Sequence, residues 1–192
     1  MALILASTSP ILRAMLDAAG VAVEAVAPGF DEGSLKDNSD ARATALRLAE
    51  AKALAVSGRR PGDWVIGSDS VITVGGSMFD KSRDRQDAAD HLRFFSGKMV
   101  VLTSAVALVR AGDVGWSIAD EAKLQVRPLS DAFIDSYLDA EWPDVGYCVG
   151  VFRMEGRGVQ LFESIEGSHF TILGMPLLPL LAALRDRGLI AS

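Results

Sequence analysis

The sequence is poor in cysteine and histidine, with one cysteine and two histidines in 192 residues. A single cysteine, Cys148, cannot form an internal disulfide, which is typical of a protein from the reducing cytoplasm. His91 and His169 lack partners at the spacing of a zinc site, so nothing indicates a zinc centre. We therefore expect a cytoplasmic protein.

The sequence also lacks a long hydrophobic run and an excess of positive charge. Its longest apolar run, residues 173–184, is broken by one glycine and two prolines and is shorter than the roughly 20 residues that span a bilayer. The first residues, MALILAS, lack the basic start of a signal peptide. The net charge of −6 argues against a broad phosphate-binding surface. We expect neither a membrane nor a nucleic-acid polymer as partner, whereas a small phosphate compound needs only a few lysines.

The hydrophobic patterning predicts an α/β protein with a mixed sheet. Strands are predicted at residues 3–6, 21–27, 64–66, 71–74, 100–109, 116–126 and 159–165. Helices are predicted at residues 10–19, 40–56, 83–95, 131–140 and 176–187. Two glycine-containing stretches, at residues 75–76 and 111–113, predict hairpin turns. Because there is no repeat or long linker, residues 1–192 are interpreted as a single domain.

The stretch LILASTSPILRAMLDAAG, residues 3–20, predicts a strand, a hydroxyl-rich turn and a helix. Pro10 suits the first helical position and Ser9 the N-cap. The amides of the first turn and the hydroxyls of Ser7, Thr8 and Ser9 favour an anion, because a helix N-terminus carries partial positive charge. The alternative is a capped helix that binds nothing, and this segment alone does not decide between them.

Charged residues next to apolar segments are further candidates. In WVIGSDSVITVGG, Asp69 comes between two β-rich runs, where a carboxylate is costly unless it binds a cation or acts as a base. Lys52 projects from an apolar helix stripe and needs a carboxylate or phosphate partner, unless it reaches solvent. Asp31 and Glu32 in PGFDEGS are either functional carboxylates or solvated turn residues. Lys81 in FDKSRD is another candidate phosphate ligand.

Taken in order, the segments resemble the Maf family of nucleoside triphosphate pyrophosphatases. The resemblance covers nearly the whole chain and is carried by LILASTSP, the DE pair, LAEAKA, GSDS, DKS, FFSGK, EGRG with VQLFESIEG, and LGMPLLPLL. It implies a Maf/ITPase-like α/β fold in which helices flank a mixed twisted sheet, with two lobes around a central cleft. It also implies hydrolysis of nucleoside triphosphates at the α–β anhydride, to a monophosphate and pyrophosphate, with Mg²⁺, Mn²⁺ or Co²⁺. A homodimer and a house-cleaning role for modified nucleotides follow from the same resemblance.

The resemblance implies roles for individual residues. Asp69 would be the catalytic base and would share the divalent metal with Glu32. Lys52 and Lys81 would bind the polyphosphate, together with the hydroxyls and amides of residues 7–9. Cleavage of an anhydride needs mainly charge neutralisation on the phosphates and an activated water, which such a set supplies.

Three positions, Ile11, Ser70 and Glu155, line up with those that distinguish substrates within the family. Glu155 matches the branch that acts on 7-methyl-GTP rather than the dTTP/UTP branch, and a carboxylate suits a cationic methylated guanine that keeps its N–H donors. Ile11 and Ser70 match neither branch.

The family has an arginine at position 12, where this chain has Leu12. Arg13, expected to bind substrate, comes one residue later, about 100° further round a regular helix. Either the first turn is distorted enough to present Arg13 to the phosphates, or the family's arginine contact is missing. The alternative function is a catalytically weak, nucleotide-binding regulator linked to cell division.

Overall fold

A computed structural model of the chain describes residues 1–29 and 40–191. The strands in these ranges are β1 (Leu3–Leu5), β2 (Glu24–Ala25), β3 (Trp64–Val74), β4 (Ser77–Phe79), β5 (Met99–Arg110), β6 (Asp113–Val126) and β7 (Phe162–Glu166). The α-helices are α1 (Pro10–Ala18), α2 (Ala41–Ser57), α3 (Arg85–Phe95), α4 (Asp131–Glu141), α5 (His169–Ile172) and α6 (Leu177–Asp186). Two 3₁₀ turns cover Asp144–Tyr147 and Arg157–Leu161. Within the same ranges, no helix has the length and apolarity that crossing a membrane requires.

The strands form one mixed sheet in the order β2-β1-β3-β5-β6-β7, with β4 paired to β3. Strand β1 is parallel to both β2 and β3, whereas the β3–β4 and β6–β7 pairs are antiparallel. The predicted α/β fold with a mixed sheet and flanking helices is therefore confirmed. In the β1–β3 register Leu3 lies opposite Trp64 and Leu5 opposite Ile66, so β1 pairs with the first three residues of β3.

Local sequence signals account for most element boundaries. The side chains of Ser9, Asp40, Asp84 and Ser130 cap α1, α2, α3 and α4 by accepting first-turn amide hydrogens. The predicted turns at residues 75–76 and 111–113 join β3 to β4 and β5 to β6. Residues 75 and 76 have φ of 60° and 83°, which glycine adopts without strain.

The largest difference from the predicted elements is β3. Two short strands are predicted, at residues 64–66 and 71–74, but one strand runs from Trp64 to Val74. Asp69 therefore lies inside a strand and not at the end of one, because its carboxylate and the flanking serine hydroxyls find partners within the protein. The strand predicted at residues 159–165 begins only at Phe162, after a 3₁₀ turn, and β2 has two residues of the seven predicted.

The chain divides into two compact units. The first comprises Met1–Ser70, Thr103–Asp120 and His169–Ser192. Its main core packs the buried faces of α1 and α6 against β1, β3 and β5, with Leu16, Ile66, Leu108 and Leu180 among its fully or almost fully buried members. Leu12 belongs to this core.

The second unit comprises Val71–Leu102 and Glu121–Ser168. It contains a ring cluster in which Phe79 contacts His91, Phe94 and Phe95 at centroid distances of 4.9–5.1 Å. Ion pairs between α3 and α4 lie on its surface. The single domain and the cleft that the resemblance implies stay predictions.

Candidate active site

A glycine brings α2 unusually close to β3. If Gly67 carried a Cβ, that atom would lie 2.0 Å from the carbonyl oxygen of Ala49 and 2.9 Å from the Cβ of Ala53. Residues 49, 52 and 53 share one face of α2, and residues 67 and 69 share one face of β3. The close approach at Gly67 therefore directs Lys52 towards Asp69.

Lys52 and Asp69 form an ion pair, with Nζ 2.5 Å from Oδ1. The side chains are only 14% and 11% exposed, so both charges are largely removed from water. Opposite charges at this distance attract each other strongly, because little water lies around them to screen the interaction. The sequence predicts that Lys52 needs an anionic partner, and Asp69 is a partner that the structure provides.

The other face of β3 carries hydroxyls that hold the strand in place. Ser68 Oγ donates towards the carbonyl oxygens of Ala105 and Gly174, at 2.8 and 2.7 Å. Ser70 Oγ lies 2.7 Å from Ser104 Oγ. Residues 68 and 70 thus anchor the backbone on both sides of Asp69.

The turn after β1 holds its own hydroxyls by backbone hydrogen bonds. The amide of Ser9 donates to Ser7 Oγ at 3.1 Å, and the amide of Leu12 donates to Ser9 Oγ at 3.5 Å. Thr8 is exposed. A serine oxygen that accepts an amide hydrogen keeps its own hydrogen as a donor, which suits a phosphate oxygen. The predicted N-cap at Ser9 is confirmed.

Helix α1 is regular, and its two faces separate Leu12 from Arg13. Leu12 is buried in the core of the first unit, whereas the Arg13 side chain is 61% exposed and pairs with Asp17 at 3.6 Å. Ile11 is half-buried. No distortion of the first turn rotates Arg13 into the direction of Leu12.

The second unit contains the remaining described candidates, Lys81 and Glu155. Lys81 lies in an exposed segment between β4 and α3, and Glu155 lies in an exposed turn. Burial raises the pKa of the Cys148 thiol, the Glu155 carboxylate adds to that increase, and the Lys81 ammonium opposes it. The charges of Lys81 and Glu155 therefore both influence the pKa of Cys148, and all three residues belong to the second unit.

The turn that carries Glu155 rests on a buried carboxylate. Glu141 accepts hydrogen bonds from the Arg157 amide and the Arg153 guanidinium, both at 3.1 Å. A Cβ on Gly156 would lie 2.9 Å from the same carboxylate. Burial acts to raise the pKa of Glu141, but these hydrogen bonds outweigh it and hold the pKa below its ordinary value.

Glu32, the other predicted metal ligand, and its neighbour Asp31 lie outside the described residues. In the ranges 1–29 and 40–191, no three His, Cys, Asp or Glu side chains cluster as a metal site. Of the two predicted metal ligands, Asp69 is the one within the described residues, and its carboxylate supplies hard oxygen donors. Such an oxygen fits Mg²⁺ or a similar cation that takes its other ligands from water and from substrate phosphates.

Sequence reasoning missed the buried hydroxyls behind Ser70. Thr103 and Ser104 are almost completely buried within the apolar run 100–109. Ser104 Oγ donates to the carbonyl oxygen of Thr171 at 2.7 Å, and Thr171 Oγ1 donates to Asp120 at 2.6 Å. The signal that could have found them is the TS pair in the middle of a strand pattern, since buried hydroxyls require partners.

Comparisons with known proteins find relatives along nearly the whole chain. The chain is 47% identical to a 7-methyl-GTP pyrophosphatase of Rhizobium meliloti (strain 1021), over 98% of this chain and 97% of the relative. It is also 47% identical to a nucleoside triphosphate pyrophosphatase of Sphingopyxis alaskensis, over 98% of both chains. A third relative, a nucleoside triphosphate pyrophosphatase of Hyphomonas neptunium, is 43% identical over the full length of this chain and 99% of its own.

The fold and site thus define an α/β protein with an ammonium–carboxylate pair between helix α2 and strand β3. The family model described as Maf-like protein matches residues 2–187. The chain belongs to this family, and the resemblance found in its motifs is confirmed.

Proposed function

We propose that this protein is a metal-dependent nucleoside triphosphate pyrophosphatase, which hydrolyses the α–β anhydride and releases a nucleoside monophosphate and pyrophosphate. The observation that carries the proposal is the shielded Lys52–Asp69 pair on α2 and β3. The names of the three relatives support the reaction class.

Asp69 is the proposed general base. Its carboxylate is kept ionised by the Lys52 ammonium, and an ionised carboxylate can accept a proton from an attacking water. Ser68 and Ser70 hold the strand on either side, so the carboxylate is fixed in direction before substrate binds. Fixed groups of this kind lower the barrier because little reorganisation is needed during the reaction.

Charge neutralisation of the polyphosphate is assigned to cations and to hydroxyl donors. Lys52 and Lys81 supply ammonium groups, and the turn of Ser7, Thr8 and Ser9 supplies hydroxyls next to the N-terminus of α1. Arg13 is proposed as a further phosphate ligand. Its pair with Asp17 is exposed, and such pairs contribute little, so exchanging Asp17 for a phosphate costs little free energy.

A divalent cation, Mg²⁺, Mn²⁺ or Co²⁺, is the proposed cofactor, held by Asp69 and Glu32. When bound, it would neutralise phosphate charge and lower the pKa of a coordinated water. Asp69 suits a hard cation because its carboxylate supplies hard oxygen donors.

The base is proposed to be a purine, with 7-methylguanine as the leading candidate. Ile11, Ser70 and Glu155 are the proposed selecting residues. The Glu155 carboxylate can accept from the N–H donors of guanine and is attracted to the positive charge of the methylated ring. Two of the relatives that carry the 7-methyl-GTP name are 46–47% identical to this chain.

A second candidate function is a nucleotide-binding regulator of cell division with weak catalysis. It is favoured by Leu12, which is buried in the core where the family has an arginine. The shielded Lys52–Asp69 pair favours the enzyme, because a protein that only binds has no use for a base.

We further propose that residues 1–192 act as one domain, and that the protein is a cytoplasmic homodimer that removes modified nucleotides. These assignments rest on the resemblance and on the single cysteine. Size-exclusion chromatography with light scattering tests the dimer directly.

The decisive experiment is a panel of ordinary and modified nucleoside triphosphates with Mg²⁺, Mn²⁺ or Co²⁺, in which pyrophosphate is resolved from phosphate. We expect pyrophosphate and a monophosphate in equal amounts. Release of single phosphates would contradict the bond assignment, and tight binding without turnover would favour the regulator.

The matching variant is Asp69→Asn, which keeps the shape of the side chain but removes the base. We expect it to lose hydrolysis while retaining the fold by circular dichroism. Asp63→Asn is the control. Asp63 directly precedes β3 and, like Asp69, forms an ion pair, in its case with Arg60 at 3.0 Å. Near wild-type turnover by Asp69→Asn would show that another group is the base.

A further inference from the structure

The hydroxyl of Ser70 is part of a buried chain of hydrogen bonds in the first unit. Ser70 Oγ lies 2.7 Å from Ser104 Oγ and 3.4 Å from the carbonyl oxygen of Gly174. Ser104 is completely buried, and its Oγ lies 2.7 Å from the carbonyl oxygen of Thr171. Ser70 itself is half-buried, so part of the residue is open to solvent.

Counting hydrogens gives the direction of these bonds. A serine hydroxyl donates one hydrogen, and a carbonyl oxygen only accepts. Because Ser104 donates to Thr171, the short contact between the two serines needs the hydrogen of Ser70. The other arrangement, in which Ser104 donates to Ser70, would give up the 2.7 Å hydrogen bond from Ser104 to the Thr171 carbonyl oxygen. The hydrogen of Ser70 is therefore used inside the protein, in the bond to Ser104.

We propose that Ser104 is a positioning residue that makes Ser70 an acceptor towards the nucleotide, so that the group bound at Ser70 is an N–H donor of the base. This rests on the proposed function, in which Ser70 is a base-selecting position. Glu155, the second such position, is also an acceptor when ionised. The chemistry selects a base rich in N–H donors, as guanine is at N1 and N2. The turn of Ser7 and Ser9 has the opposite polarity, since its hydroxyls accept amides and keep their hydrogens.

The test measures equilibrium binding by calorimetry without divalent metal, so that binding is read independently of hydrolysis. The ligands are GTP, inosine triphosphate, which lacks the N2 amino group, and N1-methyl-GTP, which lacks the N1 hydrogen. We expect the wild type to bind GTP more tightly than one of the two analogues. The dissociation constants should differ by about three- to tenfold, which corresponds to the free energy of one net hydrogen bond.

Two variants remove the selection in different ways. Ser70→Ala deletes the acceptor. Ser104→Ala removes the partner at 2.7 Å that takes the Ser70 hydrogen, which can then turn outwards because its contact with the Gly174 carbonyl oxygen is as long as 3.4 Å. Both variants should therefore reduce the ratio of the two affinities to about one. Thr103→Val is the matched control, because it removes a hydroxyl that is equally buried on the same strand. It should keep the preference whatever its effect on stability.

The results separate this inference from the proposed function. If the wild type shows no preference, or if both serine variants keep it, Ser70 does not read a donor and the inference is wrong. If only Ser70→Ala lost the preference, Ser104 would not be a positioning residue for Ser70, and that part of the inference would be wrong. Pyrophosphate release, measured on the same wild-type protein with metal, tests the proposed function whichever of these results is obtained.

Discussion

Replacing Gly67 by alanine would put a methyl group where α2 already lies. The new Cβ would be 2.0 Å from the carbonyl oxygen of Ala49 and 2.9 Å from Ala53, whereas unstrained contacts begin near 3.4 Å. Helix α2 would therefore have to move by about 1.4 Å, the shortfall at Ala49. Overpacking of this kind costs about 1–3 kcal/mol of folding free energy.

The same displacement would separate the two charged groups that α2 and β3 bring together. Lys52 is part of the helix that must move, and Asp69 is part of the strand that stays. Misplacement of a catalytic group by about 1 Å costs on the order of 100-fold in rate. We expect Gly67→Ala to lower kcat/KM for pyrophosphate release by that order, together with a lower Tm.

Gly62→Ala is the control, since Gly62 lies in the turn before β3 and a Cβ there would have no atom within 4 Å. It should leave kcat/KM unchanged and the Tm unchanged or slightly higher. Steady-state kinetics and thermal unfolding of both variants decide the matter. If Gly67→Ala lowered the Tm but left kcat/KM intact, close packing at this glycine would not be what holds the pair.

Four further variants test other parts of the protein. Arg13→Ala should raise KM about tenfold with little change in Tm, as its ion pair with Asp17 is exposed; an unchanged kcat/KM in steady-state assays would remove Arg13 from substrate binding. Ser9→Ala and Ser130→Ala each remove a helix N-cap and should each cost about 1 kcal/mol in denaturant unfolding, but only Ser9→Ala should also lower kcat/KM. Glu141 has a pKa below its ordinary value of 4.5, so its stabilising contribution is present above pH 4.5 and is lost as the pH falls through the lowered value. Denaturant unfolding of Glu141→Gln should therefore show lower stability at neutral pH and a weaker acid dependence below pH 4.5, and a curve parallel to the wild type would contradict this.

Much of the fold could be predicted from local signals. Ser9 and Pro10 mark the start of α1, and Gly75-Gly76 mark the β3–β4 turn, because capping and positive φ depend on neighbouring residues alone. The continuity of β3 could not be predicted in the same way. A carboxylate such as that of Asp69 interrupts an apolar pattern, and only its partner on α2 makes it acceptable inside a strand.

The site, like the fold, has features that could be predicted from the sequence and features that could not. The chemistry of Lys52 and Asp69 could be predicted as two separate needs for a partner, but not as one ion pair. The Ser70–Ser104–Thr171 chain joins residues that are 34 and 67 positions apart, and no local pattern reports such contacts. Whether a distorted first turn presents Arg13 in the direction of residue 12 was open from sequence, and the burial of Leu12 in a regular helix shows that it does not.

The central claim is hydrolysis at the α–β anhydride, and analogues with one non-hydrolysable bond test it most directly. The wild-type protein would be incubated with metal and with the β,γ-methylene or the α,β-methylene analogue of its best substrate, and the products separated by chromatography. The account predicts a nucleoside monophosphate from the β,γ-methylene analogue and no product from the α,β-methylene analogue. The reverse pattern, with single phosphate released from the α,β-methylene analogue, would contradict it.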